Sequence, residues 1–302
     1  MEASRLLLTP TFKEIICSHL TFEEAIQLRD ALGFDSLKCP IPVFDYRSNK
    51  KIILPGVNST TIATNELIKQ RGLNLAFLEA AKTGKNEIAK ILLTSKDIDV
   101  NVIDSFEMTA LGWASYNGHN EVVKTLLDAK NINVKILSRN GWTVLMLAAG
   151  NNRNEVVKTL LTVKDIDVNA SSQDGNTALM VAARHNYNEI IKTLLTAKDI
   201  NVGATDQYGL TALMKSIFNN WNSTIQILLT AKNINVNDVD RQGNTALMQA
   251  VAGGRTKVVQ ILLTAKDIDV NVTNQDGMTA LMLADRDNHQ EIVQILKAAG
   301  AQ

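Results

Sequence analysis

The stretch TVLMLAAGNNRNEVVKTLLTVKDIDVN, residues 143–169, belongs to a pattern that returns every 34 residues along the chain. A threonine followed two residues later by leucine marks each return, at Thr109, Thr143, Thr177, Thr211, Thr245 and Thr279. Paired leucines keep the same register, at Leu126-Leu127, Leu160-Leu161, Leu194-Leu195, Leu228-Leu229 and Leu262-Leu263. A fixed period of this length predicts a repeat protein, because one such unit cannot bury its apolar face alone and must stack on its neighbours.

Each unit is predicted to contain a turn, a helix, a second turn, a second helix and an extended arm. The first helix carries Leu145, Ala148 and Ala149 on one side, and the second, over 156–161, has the apolar spacing of an amphipathic helix. A helix end is expected where the sequence holds only Gly or Asn, because these residues adopt left-handed backbone at low cost. Those positions are Gly118, Asn152, Asn186, Asn220, Gly254 and Asn288. A Gly two residues before the threonine predicts a tight turn at Gly141, Gly175, Gly209, Gly243 and Gly277.

The motif G-x-T-A-L-M-x-A, the Gly or Asn stop and the paired leucines resemble the ankyrin repeat over about residues 73–302. The resemblance implies an all-α ankyrin-repeat solenoid of helix-turn-helix units with hairpin arms, here with a 34-residue period. The family's His is replaced by Met146, Met180, Met214, Met248 and Met282. Packing by Met is therefore expected in place of the hydrogen bonds usually attributed to that His. Glu107 stands at the turn Gly position of the first full repeat, so we expect a distorted hairpin there.

The array, residues 73–302, is predicted to hold a leading helix pair and six full repeats. The residues from Leu75 onward match both helices of a unit but lack the Thr-x-Leu start. In the last repeat, Asp285 and Lys297 replace apolar residues of the pattern. Polar residues on an outer face are typical of a terminal capping repeat.

Residues 1–72 are out of phase with the repeat and contain both cysteines and all four prolines. Their short apolar segments predict a small, mainly helical N-terminal cap domain over the apolar flank of the first repeat. Alternatively, LTPTFKEIICSHLTFEEAIQL, Leu8–Leu28, resembles the start of an F-box, although Pro10 is displaced by one position. That resemblance implies a substrate adaptor of a ubiquitin ligase, which could be a bacterial effector acting in a host cell.

The composition argues against several classes of protein. Lys and Arg total 31 and Asp and Glu total 31, whereas binding to nucleic acid or an anionic membrane needs a basic surface. No apolar run is long enough to span a bilayer. Two cysteines, Cys17 and Cys39, are too few for a disulfide scaffold and favour a reducing compartment. We therefore expect a cytoplasmic monomer, in its own cell or in a host, that binds neither nucleic acid nor membrane.

No pattern in the sequence indicates catalytic residues, a metal site or a cofactor, so an enzyme is not expected. His119 and His289 follow the helix stops, the structural Gly-His position that the ankyrin resemblance implies. Cys17 and His19 lie two residues apart without a third ligand at suitable spacing, which is not a zinc signature.

Function is expected at positions that vary between repeats, because residues required for packing stay the same. These are the hairpin tips and the ends of the first helices, which by resemblance line the concave groove where ankyrin repeats bind proteins. The candidate binding residues are Phe106, Met108, Tyr116, Arg139, Trp142, Arg184, His185, Tyr208, Phe218, Arg241 and Arg286. Aromatic residues and Arg dominate interface hot spots, and Trp142, Tyr116, Phe218 and Arg184 are expected to contribute most. For Phe106 and Tyr208, stiffening of the hairpin is an equally good interpretation, and an inert self-assembling spacer is a third hypothesis for the array.

Overall fold

A computed structural model describes residues 72–302, which contain fourteen α-helices and no extended sheet. The helices are α1 (72–83), α2 (Asn86–Leu93), α3 (Ala110–Asn117), α4 (Asn120–Leu127), α5 (Val144–Gly150), α6 (Asn154–Leu161), α7 (Ala178–Arg184), α8 (Asn188–Leu195), α9 (Ala212–Phe218), α10 (Asn222–Leu228), α11 (Ala246–Ala252), α12 (Thr256–Leu262), α13 (Ala280–Arg286) and α14 (Gln290–Ala298). They form consecutive pairs, which confirms the predicted class. The predicted cap domain and the F-box-like segment lie outside the described residues.

The chain divides into two compact units, and the described residues contribute 72–133 to the first and 134–302 to the second. The first unit holds α1–α4 and the second holds α5–α14. In the part of the chain that the structure describes, none of the helices is long and apolar enough to cross a membrane.

Each full repeat begins its first helix at the repeat threonine. Thr143 is the N-cap of α5, and its Oγ1 accepts a hydrogen bond of 3.2 Å from the main-chain N–H of Met146. The threonines before α3, α7, α9, α11 and α13 do the same for their helices. This contact satisfies one of the free N–H groups of the first turn and stabilises a helix by about 1 kcal/mol. The Thr-x-Leu pattern therefore locates the start of every first helix.

The predicted helix stops are confirmed by the backbone angles. Asn152, Asn186 and Asn288 have φ of 59°, and Gly118 has φ of 84°. The turn glycines are also left-handed, with φ of 79° at Gly175, for example. All six stops thus break the first helix in the same way and turn the chain into the second helix.

The hairpin at Glu107 is not distorted, so that expectation was wrong. Glu107 adopts φ of 59°, the left-handed conformation of the turn glycines. Its N–H donates to the carbonyl of Asp104 at 3.0 Å, as the N–H of Gly209 donates to the carbonyl of Asp206 at the same distance. The turn therefore keeps its geometry, and Glu107 adopts a backbone conformation that is costly for a residue with a Cβ.

Apolar residues of both helices form the core. In α8, Ile190, Ile191 and Leu194 are fully buried. Burial of each such side chain stabilises the fold by about 1.5–3 kcal/mol. Four of the methionines that replace the family's His, at Met146, Met180, Met214 and Met248, are buried as expected. The fifth, Met282, is 46% exposed in the last repeat, beside the exposed Asp285.

Neighbouring arms are joined by an asparagine that we call the arm asparagine. Asn169 donates from Nδ2 to the carbonyl of Asp199 at 2.7 Å and accepts at Oδ1 from the N–H of Asn201 at 2.8 Å. Asn101 makes the same pair of bonds within the first unit, and Asn237 makes them in the second. Gly203 occupies this register in the repeat between, and its missing side chain can make neither bond.

Neighbouring hairpin tips also join through the main chain in the second unit. The N–H of Gln207 donates to the carbonyl of Asp174 at 2.9 Å, and that of Arg241 donates to Tyr208 at 3.1 Å. A Cβ on Gly175 would lie 2.9 Å from the Cα of Asp206 in the next hairpin. The turn glycine is thus required both for its backbone angle and for close stacking of the hairpins.

Candidate functional site

Two aromatic side chains of one repeat are the most exposed large apolar groups of the second unit. Tyr208 at the hairpin tip is 59% exposed, and Phe218 at the end of α9 is 72% exposed. Both occupy positions that vary between repeats, so packing within the fold does not account for them. We call Tyr208, Phe218 and the neighbouring Arg184 and Arg241 the Tyr208–Phe218 surface.

A buried carboxylate fixes the hairpin of this surface to its helix. Asp206 Oδ1 accepts the N–H groups of Tyr208 at 2.8 Å and Leu210 at 2.9 Å. Its Oδ2 accepts Lys215 Nζ at 2.6 Å, and the side chains of Asp206 and Lys215 are only 3% and 10% exposed. Because Lys215 lies on α9 about one turn before Phe218, this ion pair joins the hairpin that carries Tyr208 to the helix that carries Phe218.

The same contacts set the charge of Asp206. Burial raises the pKa of the carboxyl, but the hydrogen bond from Lys215 and those from two main-chain N–H groups outweigh burial and hold the pKa below its ordinary value. Asp206 is therefore ionised at neutral pH and neutralises Lys215.

Two arginines flank the exposed aromatic residues. The main-chain N–H of Arg241 bonds to Tyr208, and Arg184 ends α7, the first helix of the preceding repeat. The carbonyl of Arg184 accepts hydrogen bonds from Asn219 Nδ2 at 3.2 Å and Trp221 Nε1 at 3.0 Å, just beyond Phe218. Both arginine side chains are exposed, so the surface combines aromatic area with guanidinium groups, the composition typical of interface hot spots.

The other candidates of the second unit are placed less favourably. Trp142 is half-buried, and its ring lies against Gly150 at the end of α5, where an added Cβ would meet the ring at 2.9 Å. The exposed Arg286 makes two bonds to Asp287, at 2.8 and 3.0 Å. His185 is exposed and stacks on Tyr187, with ring centroids 5.6 Å apart. Arg139 is exposed at its hairpin tip.

Met108 is not an exposed hairpin-tip residue, so its selection as a surface residue was wrong. Its side chain is only 7% exposed. The residue before the repeat threonine turns back over the first helix of its own repeat, as Trp142 shows by covering Gly150.

The first unit carries an aromatic cluster, which we define as Phe106, Trp113 and Tyr116. Phe106 is 60% exposed and Tyr116 is 40% exposed, whereas Trp113 between them is half-buried. Sequence reasoning selected Phe106 and Tyr116 but missed Trp113, because only tips and helix ends were treated as variable positions. Trp113 Nε1 donates to Asp104 Oδ2 at 2.8 Å, which anchors the indole.

A second pattern in the sequence could have revealed this anchoring. The acceptor lies five residues before the repeat threonine, and its donor lies four residues after it. In three repeats the residue at the first of these positions is Asp and the residue at the second carries a hydrogen-bond donor. These pairs are Asp104–Trp113, Asp206–Lys215 and Asp240–Gln249. Where the second residue is aliphatic, the first is Ser or Asn, in the pairs Ser138/Leu147, Ser172/Val181 and Asn274/Leu283. When the repeats are aligned, comparison of these two positions therefore predicts the hydrogen-bonded pairs from the sequence alone.

His119 has the structural role that was expected. Its Nε2 lies 3.1 Å from the carbonyl oxygen of Lys82, and its ring packs against Gly84. Arg255 binds the carbonyl of Phe218 at 2.9 Å from the equivalent position of its own repeat. Among the described residues, no group of His, Cys, Asp and Glu is placed to hold a metal ion.

A cleft of about 460 Å³ lies between two arms of the second unit, where Lys135 replaces the arm asparagine. Its lining includes two lysines, two aspartates and several apolar residues, among them Lys135, Lys164, Asp165, Asp167 and Ile166. The charges of the four charged side chains cancel, so nothing in the lining singles out a class of ligand.

The helix-pair repeats define the fold as that of an ankyrin repeat protein, and comparisons with known proteins agree. The family model described as "Ankyrin repeats (3 copies)" matches residues 51–136, 131–206 and 198–274, and the model "Ankyrin repeat" matches 276–302. The chain belongs to the ankyrin repeat family. Proteins of this family are generally protein–protein interaction modules and typically not enzymes. No curated protein matches the sequence significantly.

Solved structures of ankyrin repeat proteins share the fold. The ankyrin repeat domain of Bcl-3, described as a unique member of the IkappaB protein family, has a TM-score of 0.68 and 25% identity, covering 74% of this chain and 97% of its own. An ankyrin repeat domain from Acinetobacter baumannii AYE has a TM-score of 0.58 and 28% identity, covering 64% of this chain and 98% of its own. A third ankyrin repeat protein, at 23% identity and a TM-score of 0.58, covers 66% of this chain and 98% of its own and supports the fold alone.

Proposed function

We propose that the chain is a non-catalytic binding module that recognises a protein partner through the Tyr208–Phe218 surface. The observation that carries the proposal is the pair of highly exposed aromatic side chains on one repeat, whose hairpin and helix are joined by the ion pair of Asp206 and Lys215. The main chain that carries both rings is ordered before the partner arrives, so binding would cost only the rotamer freedom of the two side chains.

The exposed area supports an interface rather than a stiffening role. A tyrosine that only stiffened its hairpin would be expected to lie against the neighbouring tip, whereas Tyr208 keeps 59% of its surface accessible. Phe218 contributes no side-chain hydrogen bond, and burial of its ring in a complex would be favourable by about 25 cal/mol per Å² of area removed from water. Phe218 and Arg184 therefore rank above Trp142, which is partly covered within its own repeat.

We also propose that the protein acts as a monomer in a reducing, cytoplasmic setting. The two cysteines and the balanced charge support this setting.

The test is quantitative capture of proteins from cell lysate on the immobilised full chain. Tyr208→Ala with Phe218→Ala should lower the amount of the retained partner at least about tenfold, since single hot-spot truncations cost ~2 kcal/mol or more. Met282→Ala, which removes an exposed apolar side chain outside the surface, should leave capture unchanged. Circular dichroism would establish that all variants remain folded.

Equal retention by the double variant would contradict the proposal. Concentration-dependent self-assembly of the chain, with no protein retained, would instead support the spacer hypothesis.

A further inference from the structure

The aromatic cluster of the first unit has an arrangement that packing alone does not demand. The rings of Phe106 and Trp113 lie 6.3 Å apart at 89°, and those of Trp113 and Tyr116 lie 5.9 Å apart at 74°. The planes of the two partly exposed rings, Phe106 and Tyr116, are thus close to perpendicular to the plane of the Trp113 indole. Of the six repeats, only this one has aromatic residues at all three of these positions.

The indole at the centre of the cluster already contacts a cation from its own chain. Lys82 Nζ lies 4.7 Å from the centroid of the Trp113 ring, within the range of a cation–π contact. The side chain of Lys82 is exposed, while its carbonyl is fixed by hydrogen bonds from Asn117 and His119. The ammonium group can therefore move away at small cost while the helix that carries it stays in place.

The chemistry of the cluster favours a cation with a large apolar surface. A bare ammonium is strongly hydrated and loses water reluctantly. A quaternary ammonium is less hydrated, and its methyl groups can contact several ring faces at once. The carboxylate of Asp104, held against the Trp113 indole, adds a negative charge beside the rings.

We propose that the aromatic cluster is a binding site for a quaternary ammonium group, and that Lys82 occupies this site in the free protein. This site lies in the first unit and does not depend on the Tyr208–Phe218 surface. Trimethylated lysine of a protein and a free choline-type compound share this chemistry, so both enter the test.

The first experiment is a titration of the full chain with tetramethylammonium chloride, followed by saturation-transfer NMR on the methyl signal of the ligand. Sodium chloride keeps the ionic strength constant. We expect saturable binding with a dissociation constant on the order of millimolar, because each exposed cation–π contact contributes only about 0.5–1 kcal/mol. Lys82→Ala should tighten binding about threefold or more, because it removes the competing ammonium.

Variants of the rings test the assignment of the site. Phe106→Ala and Tyr116→Ala should each weaken binding by about threefold, and Trp113→Leu should abolish it. Two other repeats carry leucine at the position of Trp113, at Leu147 and Leu283, with Ser138 and Asn274 at the position of Asp104. Trp113→Leu is therefore made together with Asp104→Asn, because Asn274 accepts the hairpin N–H groups in the last repeat as Asp104 does here. Asp104→Asn alone is the reference variant. Trp142→Phe, in the second unit, is the matched control and should leave binding unchanged.

Absence of saturable binding in both the wild type and Lys82→Ala would overturn the proposal. Binding that survives Trp113→Leu with Asp104→Asn would overturn it as well. Two further ligands distinguish the sources: a short peptide that contains trimethyllysine, and free choline. Each is compared with the same peptide carrying unmodified lysine. Tighter binding of either methylated compound supports the proposal and identifies the source, whereas equal binding of the unmodified peptide contradicts it.

Discussion

Replacement of the buried ion pair beneath the Tyr208–Phe218 surface gives the sharpest prediction about stability. Lys215→Val leaves the carboxylate of Asp206, which is 3% exposed, without its positive partner. Loss of one member of a buried pair typically costs ~3–5 kcal/mol. Two main-chain N–H groups still bind this carboxylate, so we expect a loss of about 3 kcal/mol, at the lower end of that range.

The natural repeats supply the compensating change. Ser172 and Val181 occupy the equivalent positions of the preceding repeat, where Ser172 Oγ accepts the N–H of Asn176 at 3.2 Å. Adding Asp206→Ser to Lys215→Val reproduces this pair, removes the buried charge and retains a hairpin contact. The double variant should therefore be more stable than Lys215→Val by about 2 kcal/mol.

Urea unfolding followed by circular dichroism would measure this rescue. Hydrogen exchange at the amides of Tyr208 and Leu210 would report the hairpin locally, which matters because repeat arrays need not unfold in one step. A double variant less stable than Lys215→Val would refute the argument, since the two losses would then simply accumulate.

Three further predictions follow from the repeat geometry and from the charge of Asp206. Gly175→Ala should destabilise the protein more than Gly277→Ala by urea midpoint, because both have positive φ but only Gly175 touches the next hairpin; equal losses would contradict hairpin stacking. Asn169→Ala should cost about 1–2 kcal/mol through its two lost bonds, and Gly203→Asn should raise the midpoint by supplying the missing arm asparagine; a lowered midpoint would count against that role. Because the pKa of Asp206 is lowered on folding, its contribution to stability is present above the unfolded value near ~4 and is lost as pH falls through the folded value. The double variant with Asp206→Ser should thus lose less stability than the wild type from about pH 5 to pH 3, and parallel curves would contradict the assignment.

The helix pairs were predictable because each boundary depends on local chemistry. The repeat threonine accepts an N–H of the first turn, and Gly or Asn takes the left-handed backbone that ends the helix. Both features belong to single residues and are visible in the sequence. The error at Glu107 arose because a residue other than Gly or Asn was not expected to adopt the same backbone angle, whereas Glu107 does so and keeps the hydrogen bond of the turn.

The candidate surface was less predictable because it depends on directions of side chains. Variation between repeats selected Tyr208 and Phe218, which are exposed, but also Met108, which turns inward. Trp113 was missed because its position holds buried aliphatic residues in three other repeats, at Leu147, Val181 and Leu283. Its hydrogen bond to Asp104 can be predicted only when the fifth residue before and the fourth residue after each repeat threonine are compared across the repeats.

Recognition of a protein partner is assigned above to the Tyr208–Phe218 surface by proposal, and it can be measured on the purified components. The most direct test is isothermal titration calorimetry of the purified partner obtained by capture, against the wild type and against Tyr208→Ala with Phe218→Ala. We expect the double variant to bind about a hundredfold more weakly or worse, while Met282→Ala binds like the wild type. Equal affinity of the folded double variant and the wild type would contradict it.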